Sequence, residues 1–471
     1  MSTIGIRADA NSIVASGHVM RCVTIARQIV RLGYGVTFFV ADEESARLVR
    51  DFAAEIQGFD VVILGTDWKD MEGELRVLTR ELTERKIQIL LVDSYKVTVE
   101  YFWKLLEVCR VAYMDDLGKE AYPVDLLINY SGYFEEIGYD RLYSGTVTGS
   151  GEAVKMLLGL QFAPLREQFY RETSEDNTDA GGGKSSEECG NKSRQDLSDA
   201  RIAEDNVQTE HIVTKDGETG RTVGGATGRG ADRTAGSVNS FRILLTAGGA
   251  DMHGMLTGIL EEMDLRGMIG GCPESATESG GSDGDSKTYP EDEMRESGDM
   301  SEAGECIEPG AMNSADVTDN NIRKISVDVV VGSLTKNKED IRSFAEKKIN
   351  VQIHENVKNM AELMRRCDVA VAAAGTMLTE CAAVGLPAIY YQVADNQKFN
   401  VEFWQKTGGM IFAGDVSSGD DKDRRKVISE ICEEIEKLTS EGDALLYMKK
   451  ALKNVTDGRG AIRIAQELVK L

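Results

Sequence analysis

Gly17-His18 stands where an irregular loop turns into a helix, and His18 is the side chain in this sequence best placed to move a proton. Ile4 to Arg7 is apolar and short enough for a buried strand, and Asp9, Asn11, Ser12, Ser16 and Gly17 after it are loop formers. Val19, Cys22, Val23, Ala26, Ile29 and Val30 then recur with a helical period until Gly33. The spacing puts His18 at a helix N-terminus just beyond a first strand, the edge where open α/β sheets bind ligands. A neutral imidazole there suits a general base near neutral pH. The same position also suits a histidine that only caps the helix or packs in the loop. Asp9 and Gly17, on the same loop, are candidate substrate contacts.

A second constellation lies far along the chain. Gly375-Thr376, followed by Met377, opens a helix directly after the apolar run Val369 to Ala373. Small residues there let a ligand approach the backbone, and free N–H groups with the helix dipole can hold a phosphate. Gly248-Gly249 after Phe241 to Ala247 repeats the pattern, so the pair points to a diphosphate. Glu380 follows one helical turn after Thr376, where its carboxylate can accept bonds from ribose hydroxyls; a solvated or salt-bridged helical glutamate is the plainer alternative. There is no GxxxxGK[ST] and no GxGxxG, which counts against a P-loop NTPase and a dinucleotide enzyme. Asp115-Asp116 resembles a Mg²⁺-holding pair, but adjacent strand residues point to opposite sides, so one aspartate is expected to cap the next turn. His211, His253 and His354 have no ligand spacing. No metal and no cofactor are expected.

The elements that must carry these residues alternate. In the first third, strands are expected at 36–40, 61–64, 87–92, 111–114 and 126–128, with helices at 71–84 and 99–108 between them. After residue 240 the same alternation returns, with strands at 241–247, 327–331, 351–354, 369–373 and 388–391. Helices are expected at 255–263, 338–347, 359–365, 376–384 and 461–469. Apolar strands alternating with helices mean parallel sheets covered on both faces. The expected division is an α/β domain over 1–170 with the His18 loop, a linker insertion at 171–240, a ligand-binding α/β domain over 241–456, and a C-terminal helix at 457–471. Two α/β halves joined by a linker leave a cleft between them, a usual ligand location.

The chain has 471 residues and a formal charge of -25. Glu172 to Asn239 holds 14 acidic and 8 basic side chains, and Gly271 to Asn321 holds 14 acidic and 2 basic, so these segments carry most of the charge. Both lack apolar periodicity, and their composition predicts disordered insertions, the second within 270–322. The acidity argues against nucleic-acid and anionic-membrane binding. Eight scattered cysteines without CxxC spacing suit a reducing cytoplasm. No signal-peptide pattern opens the chain and no run reaches the ~18 apolar residues of a membrane span. A monomer is expected.

IRADANSIVASGHVMRCVTIA, LLVDSYKV, YMDDLGKEAYPVDLLIN, TAGGAD, KNMAELMRRCDVAVAAAGTMLTECAAVGLPAI, VADNQ and TDGRGAIRIA occur in this order. With them the chain resembles the UDP-2,4-diacetamido-2,4,6-trideoxy-β-L-altropyranose hydrolases of pseudaminic acid biosynthesis and their spore-coat polysaccharide relatives. The GGAD and AAGT motifs are shared more widely with GT-B glycosyltransferases. The resemblance implies a GT-B fold, two doubly wound Rossmann-like domains facing across a cleft, and a UDP-sugar substrate. It makes His18 the general base, brings Glu380 and Asn396 to the nucleotide-sugar, and gives the Gly249 region and the helix start near Thr257 to the pyrophosphate. Family members commonly have Gly where this chain has Ala15 and Asn where it has Gly254. The implied reaction is hydrolysis to UDP and free sugar by C–O cleavage. A UDP-sugar glycosyltransferase of the same fold and a non-catalytic nucleotide-sugar-binding protein are the other two readings.

Overall fold

The computed structural model describes residues 2–10, 17–149, 151–171, 240–270, 324–332 and 334–471. The loop 11–16, with Ala15, and nearly all of both polar segments expected to be disordered lie outside the described residues.

In the first lobe, seven strands pair in parallel: β1 (Thr3–Ala8), β2 (Gly35–Val40), β3 (Phe59–Ile63), β4 (Ile89–Asp93), β5 (Arg110–Met114), β6 (Leu126–Asn129) and β7 (Lys155–Leu158). Their order across the sheet is β3-β2-β1-β4-β5-β6-β7, so the chain winds outward from β1 in both directions. Because β1 is covered on both faces, every residue from Gly5 to Ala8 is buried, the pattern of a central parallel strand. On one face Ile4, Ile6 and Phe38 pack under the helix Gly17–Arg31; on the other, Phe39, Leu90 and Val92 meet the helices Met71–Glu84 and Val99–Leu106.

The second lobe repeats the plan with β8 (Ser240–Thr246), β9 (Lys324–Val331), β10 (Val351–Glu355), β11 (Val369–Ala373), β12 (Ala388–Gln392) and β13 (Met410–Asp415). The order is β10-β9-β8-β11-β12-β13, again all parallel. β9 lies directly beside β8, with Leu245 opposite Val329, although the chain between them includes the second polar segment. The helices Met255–Leu265 and Asp421–Ser440 cover one face; Met360–Arg365, Met377–Val384 and the buried Trp404 cover the other.

Two strands were not foreseen, and each has a reason. β7 is a four-residue KMLL at the sheet edge, too short to show a period. β13 contains Gly414 at φ 137° and breaks register with β12 there, so its alternation is interrupted. The C-terminal helix, Gly460–Leu468, follows the second lobe in sequence yet buries Ala461, Ile464, Ala465 and Leu468 in the first-lobe core, against the helix Gly17–Arg31. The link after β7 works in the opposite sense, with Leu160, Ala163 and Phe169 buried in the second-lobe core. The lobes are thus laced together in both directions.

Both sheets turn their carboxyl ends toward each other. Tyr133, just after β6, stacks on Phe399, just after β12, at 5.9 Å between ring centroids. A Cβ on Gly132 would meet the Phe403 ring at 2.4 Å, so only glycine allows this approach. Glu136 and Lys406 form an ion pair alongside, at 2.8 Å.

Candidate functional site

In each lobe the strand order reverses beside the first strand, between β1 and β4 and between β8 and β11. That reversal parts the connecting loops and opens a crevice at the carboxyl ends of the strands. His18 enters the first crevice from the β1 side and Asp93, the last residue of β4, from the other, where Ala8 is its register partner.

His18 Nδ1 lies 2.6 Å from Asp93 Oδ1. Asp93 is buried, and burial by itself pushes a carboxyl pKa up. The Arg21 guanidinium and the His18 hydrogen bond overcome it and hold Asp93 well below the usual carboxylate range. An ionised acceptor at that distance requires the proton on Nδ1, so a neutral His18 carries its lone pair on Nε2. Nε2 has no hydrogen-bond partner among the described residues. The Tyr95 ring meets the imidazole edge-on, centroids 4.6 Å apart, and fixes its plane.

Arg21 is one turn after His18 on the same helix face. Its Nε donates to Asp93 Oδ2 at 2.6 Å and its Nη2 to Oδ1 at 2.5 Å, a two-point clamp. Its Nη1 donates to Asp116 Oδ2 at 2.8 Å and to the Tyr130 hydroxyl at 2.5 Å. The Tyr95 hydroxyl also donates to Asp116 Oδ2, at 2.8 Å, closing a ring of side chains around His18. Asp115 turns the other way and accepts from the Leu117 and Gly118 N–H groups, the turn cap expected of one member of the pair. Arg21, Asp93, Tyr95 and Asp116 were not singled out as site residues. The signal was present in the Asp-Ser-Tyr ending of an apolar run and in the three-residue His–Arg spacing.

Asp9 sits apart from this ring. Its Oδ2 accepts from Arg7 at 2.6 Å and its Oδ1 from the Ala41 N–H at 2.7 Å. Arg7, fully buried, also pairs with both oxygens of the buried Glu74, which accepts in turn from the Tyr101 hydroxyl. Both Asp9 oxygens are thus engaged inside the lobe, Oδ1 tying the end of β1 to the residue after β2 and Oδ2 pairing with Arg7 of β1 itself. Gly17 is exposed, with open space where a Cβ would stand.

In the second lobe Gly248, at φ 77°, and Gly249 turn the chain after β8. Gly332, after β9, comes so close that a Cβ there would lie 2.4 Å from the carbonyl oxygens of both. The helix beyond is already capped: Asp251 accepts from the N–H groups of Met255 and Leu256 at 2.8 and 3.0 Å. Gly254, at φ 63°, makes the bend into it, and Thr257 uses its hydroxyl to accept from Asn337 at 2.6 Å. The turn after β11 is different. Gly375 has open space around it, and the Thr376 and Met377 N–H groups have no acceptor among the described residues. These are the free donors at the start of the eight-residue helix Met377–Val384. Glu380, one turn in, lies 3.6 Å from Arg166, which arrives from the link between the lobes. Burial pushes the Glu380 carboxyl up to about 7, against the pull of Arg166. Asn396, after β12, is exposed and unpaired among the described residues. The fold therefore gathers Gly249, Gly375, Thr376, Met377, Glu380 and Asn396 on three neighbouring strand ends, with His18 on the opposite lobe.

Among the described residues, no group of three or more His, Cys, Asp or Glu side chains could hold a metal ion. Among them too, no helix is long and apolar enough to cross a membrane.

Residues 310–463 match the Glycosyltransferase family 28 C-terminal domain. The chain is 25% identical over 142 residues to the spore coat polysaccharide biosynthesis protein SpsG of Bacillus subtilis (strain 168), a match covering 30% of this chain and 40% of that protein. Among solved structures, MurG of Acinetobacter baumannii superposes with a TM-score of 0.53 at 9% identity, covering 100% of both chains. The UDP-GlcNAc 2-epimerase of Neisseria meningitidis, solved bound to UDP-GlcNAc, gives 0.50 at 10% identity over 100% of this chain and 99% of its own. With two Rossmann-like lobes whose strand ends face each other, the chain has a GT-B fold of glycosyltransferase-like build.

Proposed function

We propose that this chain is a nucleotide-sugar hydrolase that cleaves a UDP-linked 2,4-diacetamido-2,4,6-trideoxy sugar into UDP and free sugar, in pseudaminic acid or related surface-glycan synthesis. The observation that carries it is the His18–Asp93 pair: Nδ1 is fixed by an ionised carboxylate, leaving Nε2 as the base. The diacetamido-trideoxy sugar comes from the motif resemblance; the nucleotide-sugar class is also supported by the GT-B relatives.

In this reading the diphosphate meets the Thr376 and Met377 N–H groups, where the helix dipole favours negative charge. Glu380 accepts from the ribose, with Gly249 and Asn396 flanking the diphosphate and sugar. Water attacks the sugar carbon on the face away from UDP, and His18 Nε2 takes its proton. The C–O bond breaks with its electron pair leaving on UDP. UDP is a good leaving group and the backbone donors meet its developing charge, so the step asks for no metal.

The match to the glycosyltransferase family 28 C-terminal domain favours a second reading, transfer of the sugar to a hydroxyl acceptor activated by the same histidine. Incubation of the purified chain with a panel of UDP- and CDP-sugars in ¹⁸O-water decides between them. Hydrolysis releases UDP without an acceptor and puts the label on the sugar, with chelator having no effect. UDP release only when an acceptor is added supports transfer, and label on the diphosphate refutes C–O cleavage.

A further inference from the structure

Arg21 is a buried cation placed between two carboxylates and in contact with the imidazole that the proposed reaction needs neutral. Its Nη2 lies 3.1 Å from His18 Nδ1, too close for a cation to leave the ring's charge unaffected. Asp93 favours an imidazolium and Arg21 opposes one, and Arg21 is also clamped onto both oxygens of Asp93. A His–Asp pair without such a clamp would draw a proton onto the ring. We propose that Arg21 is a positioning residue that keeps His18 in its neutral, Nδ1-protonated form by sharing the Asp93 carboxylate, and that Asp116 sets how strongly it does so.

The surroundings of His18 contain the terms needed to judge this. From its own helix come Arg21 and Cys22, whose thiol lies 3.4 Å from Asp93 Oδ2 and is kept protonated by burial and by Asp93. From β4 and the turn after it come Asp93 and Tyr95, the latter a neutral phenol because burial and Asp116 push it up. From the loops after β5 and β6 come Asp116 and Tyr130, on the far side of Arg21. The fixed charges are therefore Asp93, Arg21 and Asp116. Burial would push Arg21 down, but Asp116 and Asp93 hold it well above its ordinary value, so it remains a cation. Asp116 draws part of that cation's field away from the ring and adds its own negative potential. Removing Arg21 and removing Asp116 should therefore act in opposite directions, which a purely structural role for the ring would not produce.

This inference rests on the reading of His18 as the base, and the experiment separates the two. Full chain with ¹³C,¹⁵N-histidine is titrated by NMR, the His18 signals among those of four histidines being assigned by their loss in His18→Asn. Arg21→Met is expected to raise the His18 midpoint by about one pH unit and Asp116→Asn to lower it by a smaller amount, with Arg21→Lys close to wild type. The acid limb of kcat/KM for UDP release should move the same way in each variant. Should Arg21→Met not fold, Asp116→Asn and Arg21→Lys still carry the test, because Asp116 is partly exposed and Lys keeps the charge. Midpoints that do not move, or that move in one direction in both Arg21→Met and Asp116→Asn, overturn the role of Arg21. Undiminished UDP release by His18→Asn overturns the base itself while leaving the midpoints free to report on Arg21.

Discussion

His18 Nδ1 and Asp93 Oδ1 stand 2.6 Å apart although 75 residues separate them, because β1 and β4 are neighbours at the point where the first sheet reverses its strand order. A strand-to-helix turn places the imidazole and a strand end places the carboxylate. Two rigid elements thus set the bond.

His18→Asn should lower turnover by ~10²- to 10⁴-fold, the usual cost of losing a general base. UDP affinity should stay within about twofold, since the proposed nucleotide contacts belong to the other lobe. Steady-state kinetics with calorimetric titration of UDP checks both, and an equal loss of affinity and rate would speak against the assignment.

Glu380 gives a pH signature in stability. Its carboxyl is raised to about 7 in the folded chain from an ordinary 4.5, so the folded state holds a proton that the unfolded chain has released. The sign is fixed by linkage: this contribution is fully present below about pH 4.5 and is lost as pH rises through about 7. Glu380→Gln should remove that loss, so its stability relative to wild type should rise across this window by ~1–3 kcal/mol. Denaturant melts at several pH values test it; a constant difference would contradict it. The Glu380→Ala variant should also weaken UDP binding by ~1–3 kcal/mol if the carboxylate meets the ribose.

Gly375 and Gly332 should respond differently to alanine. Gly375 has open space where a Cβ would go, so Gly375→Ala should leave the melting temperature within about 1–2 °C while narrowing the proposed diphosphate seat and reducing UDP affinity. Gly332→Ala would push a methyl into the Gly248 and Gly249 carbonyls, and the backbone must move. A loss of ~1–3 kcal/mol is expected, read by thermal and denaturant melts.

Glu74→Ala should be among the most damaging changes distant from His18. It leaves the fully buried Arg7 with Asp9 alone and strands the Tyr101 hydroxyl. Breaking a buried pair from one side costs ~3–5 kcal/mol. Unchanged stability would show that Asp9 and solvent satisfy Arg7 without Glu74.

Truncation after Arg459 tests the lacing of the lobes. It removes Ala461, Ile464, Ala465 and Leu468 from the first-lobe core and uncovers the helix Gly17–Arg31, which carries His18. Losing such buried side chains costs several kcal/mol at ~1.5–3 each for the larger ones. The first lobe should melt earlier, with turnover falling before UDP affinity does.

Local sequence determined the repeated strand–helix alternation, because buried parallel strands are uniformly apolar and their helices amphipathic, and both properties are set within a few residues. It also marked the glycine turns at 248–249 and 375, of which Gly248, at φ 77°, uses glycine's backbone freedom, and placed His18 at the start of a helix. Tertiary structure decided what lies far apart in the chain. Asp93 and Asp116 join His18 and Arg21, which are neighbours on one helix, only once β1, β4 and β5 lie side by side, and strand order is not encoded in any local period. The same holds for Glu380, whose spacing is that of any helical glutamate until packing half-buries it beside Arg166. Asp9 is the converse case: a loop aspartate by composition, it is turned inward by Arg7, because a buried guanidinium must be paired and only the folded sheet shows which carboxylates are near enough. The last helix was legible as a helix but not as part of the first lobe, since an apolar stripe specifies that a face is buried and leaves its partner to the fold.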